Sequence, residues 1–430
     1  MKSIVELVAD VEDARACKDI SDEACREVPR NFGILVAAQV LTKLGDALAS
    51  PKTVLAWLMD AAGAPGFLIG LLVPVRESLS MLPQLFIGGV VRSQPRRKPV
   101  WLLGSVLQFL AVAGMGLAAF TLRGAAAGWA ILGCVTFFSL ARGLNSVASK
   151  DILGKTIPKR RRGRLGGISA GVSGALSVGV GLLMLTRGGG EGSPLFYGAL
   201  LAGAGALWLL AALVFTRLEE EPGETAGGAN GLREALGRLA LLRDDAPFRR
   251  FVTTRALLLC SALTAPYYVL LARQHAGEGL SVLAAFIVAN GLAASLSAPF
   301  WGIFADASSR RVLIAAATLT AALGLGMFTL AEAAPGLLDA AWLHPVAFFL
   351  LGVAHSGVRA GRKTYLVDMA GGVKRTDYVS VSNSVIGGIL LLTGVLTGAL
   401  SFLPPHGVIA VLSAFGAVGA AMARSLPPVD

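Results

Sequence analysis

Eight side chains able to move a proton or hold an anion stand inside stretches that are otherwise apolar. They are Lys43 and Asp46, Arg76 and Glu77, Arg142 and Asn145, and His355 and Arg359. An ionisable group in such a stretch is costly unless it is paired or hydrated, so each is a candidate functional group. Lys43 and Asp46 are three residues apart and share a helical face. Arg76 and Glu77 are adjacent and point about 100° apart on a helix, so one faces a neighbour and the other a cavity. Two chemistries fit. A carboxylate beside an Arg can release and regain a proton as its surroundings change. A set rich in Arg can clamp a carboxylate or phosphate through paired hydrogen bonds. A structural reading stands beside them: buried ion pairs that fix helix register, such as Asp46 with Arg76 or Lys43. Arg362, Lys363 and Asp368 read as solvated groups at a membrane edge.

The elements that must carry these groups are long apolar helices. The chain has 430 residues, 54% hydrophobic and 15% charged, against the roughly 25% charged of a soluble domain. Apolar runs of about 18–25 residues, long enough to cross a bilayer, fall near 32–50, 66–87, 100–121, 127–148, 167–186, 194–216, 253–272, 280–304, 312–332, 341–361, 380–402 and 406–424. The sequence therefore predicts an all-α integral membrane protein of about twelve transmembrane helices. Several runs are rich in small residues, notably Gly171, Gly174, Gly179 and Gly181 in the fifth and Gly387, Gly388, Gly394 and Gly398 in the eleventh. Such residues let helices approach closely in lipid.

The net charge of +11 sits mainly in alternate loops: Arg92, Arg96, Arg97 and Lys98; Lys155 with Lys159 to Arg162 and Arg164; Arg310 and Arg311; Lys374 and Arg375. That alternation is the positive-inside pattern of a multi-pass protein, not a nucleic-acid surface. It predicts both termini in the cytoplasm and residence in the plasma (bacterial inner) membrane. Residues 1–31 form a polar cytoplasmic head, with Ile4, Leu7, Val8 and Val11 at helical spacing; 32–216 a first six-helix bundle; 217–252 a cytoplasmic linker whose Leu232, Leu236, Leu239 and Leu242 line an amphipathic helix; 253–424 a second bundle; and 425–430 a tail. Cys17, Cys25, Cys134 and Cys260 are expected as reduced thiols, without the spacing of a zinc site.

The two bundles repeat. Gly88-Gly89-Val90-Val91-Arg92-Ser93-Gln94-Pro95-Arg96-Arg97 and Gly302-Ile303-Phe304-Ala305-Asp306-Ala307-Ser308-Ser309-Arg310-Arg311 lie 214 residues apart, each a Gly leaving an apolar run with paired Arg behind it. On these motifs the chain resembles the major facilitator superfamily of secondary transporters over about residues 31–424. The family's loop motif, Gly-x-x-x-Asp-x-x-Gly-Arg-Arg/Lys, is met by Gly302, Asp306, Arg310 and Arg311, with Ser309 at the second Gly; Gly88, Arg96 and Arg97 match in the first half, with Arg92 at the Asp position and Pro95 at the second Gly. Arg142-Gly143-Leu144-Asn145-Ser146 is similar to the family's fourth-span Arg-x-x-Gln-Gly. The fifth span lacks the Gly-Pro pair typical of drug–proton antiporters.

The resemblance implies two pseudo-symmetric six-helix bundles, a central cavity lined by the first, fourth, seventh and tenth helices, and a cytoplasmic latch made by the loop motifs. It implies alternating-access transport of a small solute, with protons as the expected coupling ion and Asp46 or Glu77 as carrier. A lipid or amphiphile flippase on the same fold and a non-transporting scaffold or sensor are the alternatives. No enzyme constellation is present, and Gly154-Lys155-Thr156 lacks the preceding Gly of a phosphate loop. No cofactor, metal or nucleic-acid partner is expected; the partners are the solute, protons and membrane lipid, and a monomer suffices. Pro266-Tyr267-Tyr268 reads as an interfacial anchor or an outer gate, and Asn383 as a cap or packing residue.

Overall fold

The computed structural model describes residues 20–82, 91, 93–186, 192–223, 225, 238–369 and 375–429. Gly88, Arg92, the head helix expected near residues 4–11 and most of the linker helix lie outside the described residues. The twelve expected spans are all there. The first runs Val28–Leu48 and resumes Val54–Ala61; the second is Gly66–Met81 as described, the third Lys98–Thr121, the fourth Gly124–Thr156, the fifth Lys159–Leu185 and the sixth Pro194–Phe215. The seventh comes in three pieces, Ala246–Leu257, Cys260–Leu263 and Ala265–His275. Leu280–Ala307, Ser309–Ala333, Leu343–Met369, Arg375–Ala399 and Pro405–Arg424 complete the set. Several spans begin with Pro in the first turn, where its missing N–H costs nothing.

Among the described residues, nine helices are long and apolar enough to cross a membrane by composition alone. The first, second and tenth fall short, and they are the ones that carry Lys43 with Asp46, Arg76 with Glu77, and His355 with Arg359. The fourth and tenth helices both run past the ends of their apolar stretches, to Thr156 and Met369. In the fourth, the extension is steadied by a salt bridge one turn apart, Asp151 to Lys155 at 2.8 Å.

Helix pairing repeats between the halves. The first packs on the sixth as the seventh packs on the twelfth; the third packs on the fourth and sixth as the ninth packs on the tenth and twelfth; the second packs on the fourth as the eighth packs on the tenth. The halves meet along two seams, second on eleventh and fifth on eighth. The breaks follow the same symmetry. Pro51 and Pro266 stand 215 residues apart, each where the first helix of its half restarts. Large apolar side chains such as Leu117, Leu213, Leu296, Val395 and Phe402 are exposed on the outside, where lipid solvates them. The multi-pass, two-bundle architecture is therefore the one the sequence predicts.

Three apolar clusters fill the interior. One contains residues of both halves, including Trp57, Leu68, Ile131, Leu201, Tyr268, Phe286 and Ile409. It fills the end opposite the basic loops. At the basic end the halves have separate clusters: Phe32, Trp101, Ile152 and Phe215 in the first, Phe251, Trp301, Leu313 and Tyr365 in the second. The halves are thus fused at one end and parted at the other.

One correction concerns the polar head. Cys25 is disulfide-bonded, while Cys134 and Cys260 are free; the reduced state was inferred from an assumed compartment, which spacing does not decide. At the end of the linker the described residues form a short turn, Arg238–Ala240 and Leu241–Asp244, followed by Asp245, whose carboxylate accepts from Phe248 N and caps the seventh span. Tyr378 also donates to Asp245.

The seams depend on small residues. A Cβ on Gly291 would lie 2.9 Å from Val178 Cγ2 and 3.0 Å from the Gly174 carbonyl, and one on Gly181 would lie 3.0 Å from the Ala284 carbonyl; Gly171 and Gly179 face open space. Gly291→Val should force the fifth and eighth helices apart and cost about 1–3 kcal/mol. Gly179→Ala should be neutral. Thermal unfolding of the purified variants distinguishes them, and equal melting temperatures would show that this seam is not close-packed.

Candidate functional site

The cavity between the parted halves has a volume of about 700 Å³, within the size range of small-molecule sites. It is lined by residues of the first, second, fourth, fifth, seventh, eighth and tenth spans. Lys43, Asp46, Arg76, Glu77, Arg142, His355 and Arg359 all face it, as do Lys52 and Lys363. Asn145 does not: its amide donates to Ser105 Oγ at 2.8 Å and packs against Gly104 of the third helix. Arg142 and Asn145 lie three residues apart, but the small Gly104 makes a pocket for the amide and draws it away from the cavity.

At the centre, Asp46 joins two guanidinium groups. Arg76 Nη2 is 3.0 Å from Asp46 Oδ1, and Arg142 Nη1 reaches both carboxylate oxygens at 2.5 Å. Arg76 is 10% exposed and lies over the Phe138 ring at 4.4 Å, a cation–π contact that holds it in place. Of the two pairings expected for Asp46, Arg76 is found. Lys43 instead directs its ammonium to the Gly166 carbonyl at 3.4 Å. Glu77 makes no hydrogen bond or ion pair through its carboxylate among the described residues, yet Lys52, Arg76, Arg142 and Arg362 surround it.

Lys52 was missed by the sequence reading, because Ser50-Pro51-Lys52 looks like the end of the first span. It is the break within that span. Lys52 Nζ lies 2.9 Å from His355 Nε2, and His355 Nδ1 lies 3.1 Å from Ser261 Oγ, which in turn lies 3.1 Å from the Leu258 carbonyl. An ammonium has only hydrogens to give, so Nε2 accepts, Nδ1–H donates to Ser261 and the Ser261 hydroxyl donates to Leu258. His355 is then a neutral imidazole that ties the first half to the second. The available signal was the apolar run Val54–Met59 beyond Pro51, which extends the span past its apparent end. Arg362 and Lys363, expected at a solvated edge, belong to the cavity wall and its surroundings, because the tenth helix continues past its apolar stretch.

The opposite end is sealed. Arg273 of the seventh span, 5% exposed, forms ion pairs with Asp60 of the first span at 2.7 Å and with Glu278 at 3.0 Å, and lies 4.8 Å from the Trp57 ring centre. Trp57 donates to Tyr197 OH at 3.0 Å. Tyr267 donates to the Thr397 carbonyl at 3.1 Å, and Thr397 Oγ1 donates to the Gly70 carbonyl at 3.3 Å. Tyr267 is therefore buried where the second, seventh and eleventh helices meet.

Among the described loop-motif residues, Arg97 and Arg310 make contacts within their own halves. Arg97 is 3.0 Å from Asp151, and Glu220 accepts from the backbone N–H groups of Arg97 and Lys98, capping the third helix with a side chain 1% exposed. Arg310 donates to the Leu426 carbonyl at 3.0 Å; Arg96, Arg311 and Gly302 are exposed, and the Asp306 side chain lies outside the described residues. Arg255 holds Ser382 and Asn383 at 2.6 and 2.9 Å, which makes Asn383 a packing residue of the second half.

No protein-family model matches the sequence, and no curated protein matches it. Solved structures do match. The xylose transporter XylE from E. coli, in a partially occluded inward-open conformation, aligns with a TM-score of 0.67 at 12% identity, covering 92% of this chain and 99% of that one. A POT family transporter in complex with 5-aminolevulinic acid aligns at 0.69 and 11% identity, covering 92% and 95%. FucP, a major facilitator superfamily transporter in the outward conformation, aligns at 0.56 and 16% identity, covering 92% and 98%. The chain has the major facilitator superfamily fold.

Three substitutions test the site. Asp46→Asn leaves Arg76 and Arg142 side by side without a carboxylate, and should lower stability by about 3 kcal/mol, whereas Lys363→Gln should leave the melting temperature unchanged. Arg273→Gln should loosen the sealed end. Spin labels at residues 64 and 276 should then gain a longer-distance population; an unchanged distribution would assign the seal to the apolar contacts alone.

Proposed function

We propose that this chain is a secondary active transporter that moves a small solute through the membrane by alternating access. The asymmetry along one inter-half seam carries the reading: a charged cavity open at the basic end, and a fused apolar cluster with an ion-paired Arg at the other. Ionisable groups are costly in a membrane interior unless water or a ligand reaches them. A scaffold has no use for them, and a flippase for acyl chains calls for a more apolar cavity. The positive-inside rule assigns the basic end, both termini and the linker to the cytoplasm, and the membrane to the plasma (bacterial inner) membrane. The conformation is then inward-open, with residues 32–216 and 253–424 as the two rocking bodies.

Protons are the proposed coupling ion. Asp46 is already engaged by two guanidinium groups, so Glu77 is the carboxyl with a face free to exchange a proton with the cavity. The full chain in proteoliposomes, screened against metabolite mixtures under an imposed pH gradient, tests this. Glu77→Gln should abolish solute-driven proton movement and keep solute exchange. Wild-type proton-coupled flux in both Glu77→Gln and Asp46→Asn would remove these carboxyls as carriers. If the wild-type protein moves no solute at all, the transporter reading fails.

A further inference from the structure

The charges of the cavity do not balance. Six cations line it (Lys43, Lys52, Arg76, Arg142, Arg359 and Lys363) against two carboxylates, Asp46 and Glu77. With His355 neutral, the lining carries a surplus of four positive charges, and Arg362 adds another beside Glu77. Asp46 pairs with Arg76 and with Nη1 of Arg142, whose side chain stays 37% exposed in the cavity. Arg359 and Lys363 have no ion pair among the described residues, and Lys43 has only a carbonyl. Arg359 and Lys363 are exposed in the open cavity, where water screens their repulsion; closing the cavity removes that water and strengthens it.

The placement of the surplus matters as much as its size. Lys43 belongs to the first half and faces Arg359 of the second. Closer to the basic end, Lys150 of the first half lies near enough to Lys363 of the second to be repelled by it. Like charges therefore confront each other across the parted end. Closing that end would press them together. A solute that supplies negative charge between them removes the barrier.

The C-terminal half adds an apolar side to the cavity, with Trp301, Phe348 and Leu351, and several hydroxyls, among them Ser173 and Ser356, lie between. We propose that the transported solute is a small organic anion, bearing a carboxylate or a phosphate, whose charge bridges Lys43 and Arg142 of one half to Arg359 of the other. This rests on the transporter reading and specifies its substrate. The same bridge links binding to motion. The empty cavity holds its basic end open by repulsion, and the loaded cavity can close it. Glu77 supplies part of the missing negative charge when the solute is absent.

The test uses the purified full chain and a matched panel: succinate, benzoate and glucose 6-phosphate, with succinamide, benzamide and glucose as their neutral counterparts. Melting temperature, uptake into proteoliposomes and spin-label distance across the basic end are read for each. At least one anion should raise the melting temperature while its neutral counterpart does not, and should shorten the basic-end distance. Arg359→Gln or Lys43→Gln should weaken that binding about tenfold, as the loss of one charge-assisted contact would. Neither residue holds the fold, so the variants should melt near the wild type when empty. Glu77→Gln should bind the anion more tightly, which a purely structural role for Glu77 would not produce. Uptake of a neutral solute, unaffected by all of the anions and by Arg359→Gln, would overturn the anion proposal and keep the transporter reading. Anion binding with basic-end closure but no uptake of any solute would leave the anion site standing and sink the transporter reading. No response to any anion in all three measurements overturns the anion proposal.

Discussion

The structure is governed by the cost of holding ionised side chains within a membrane-thick slab. Asp46, Arg76 and Arg142 meet that cost by pairing, with Phe138 covering the buried guanidinium. Among the described residues, Glu77 is the one carboxylate of the cavity lining left for the remaining cations. Water must reach them, and water can reach them only if the halves separate. The parted clusters at the basic end follow from that need.

The two ends of the seam use the same helices differently. At the sealed end, side chains from both halves interdigitate around Trp57 and Tyr268, and one buried Arg is matched by Asp60 and Glu278. At the basic end two polar networks among the described residues stay within their own halves. Glu220 caps the third helix and holds Lys155, and Arg255 holds Ser382 and Asn383. The apolar cores of the halves are joined at one end and separate at the other. The glycine seams provide close contacts without long side chains that would lock them.

The breaks in the first and seventh spans link this mechanics to the chemistry. A continuous helix would present Lys52 at a position set only by its phase. The interruption at residues 49–53 instead turns Lys52 onto His355, and the matching interruption in the seventh span brings Ser261 to the other side of the imidazole. The two bundles thus touch through a neutral histidine at the floor of the cavity, between the apolar seal and the charged space above it.

Much of this was legible in the sequence by itself. Twelve spans, their doubling and the burial of Asp46 near Arg76 follow from apolar run length, a repeated motif and the need of a buried charge for a partner, all of which are properties of local sequence. Other features depended on tertiary structure. Whether Arg142 or Asn145 meets the cavity depends on which neighbour has the gap, and that neighbour is Gly104, forty-one residues away. Whether Pro51 ends a helix or only interrupts it depends on the partners available to Val54–Met59. Arg362 and Lys363 look like surface charges until the tenth helix is seen to line a water-filled cleft. The balance of charge inside that cleft belongs to no single helix. It is a sum over both halves, and only their assembly determines it.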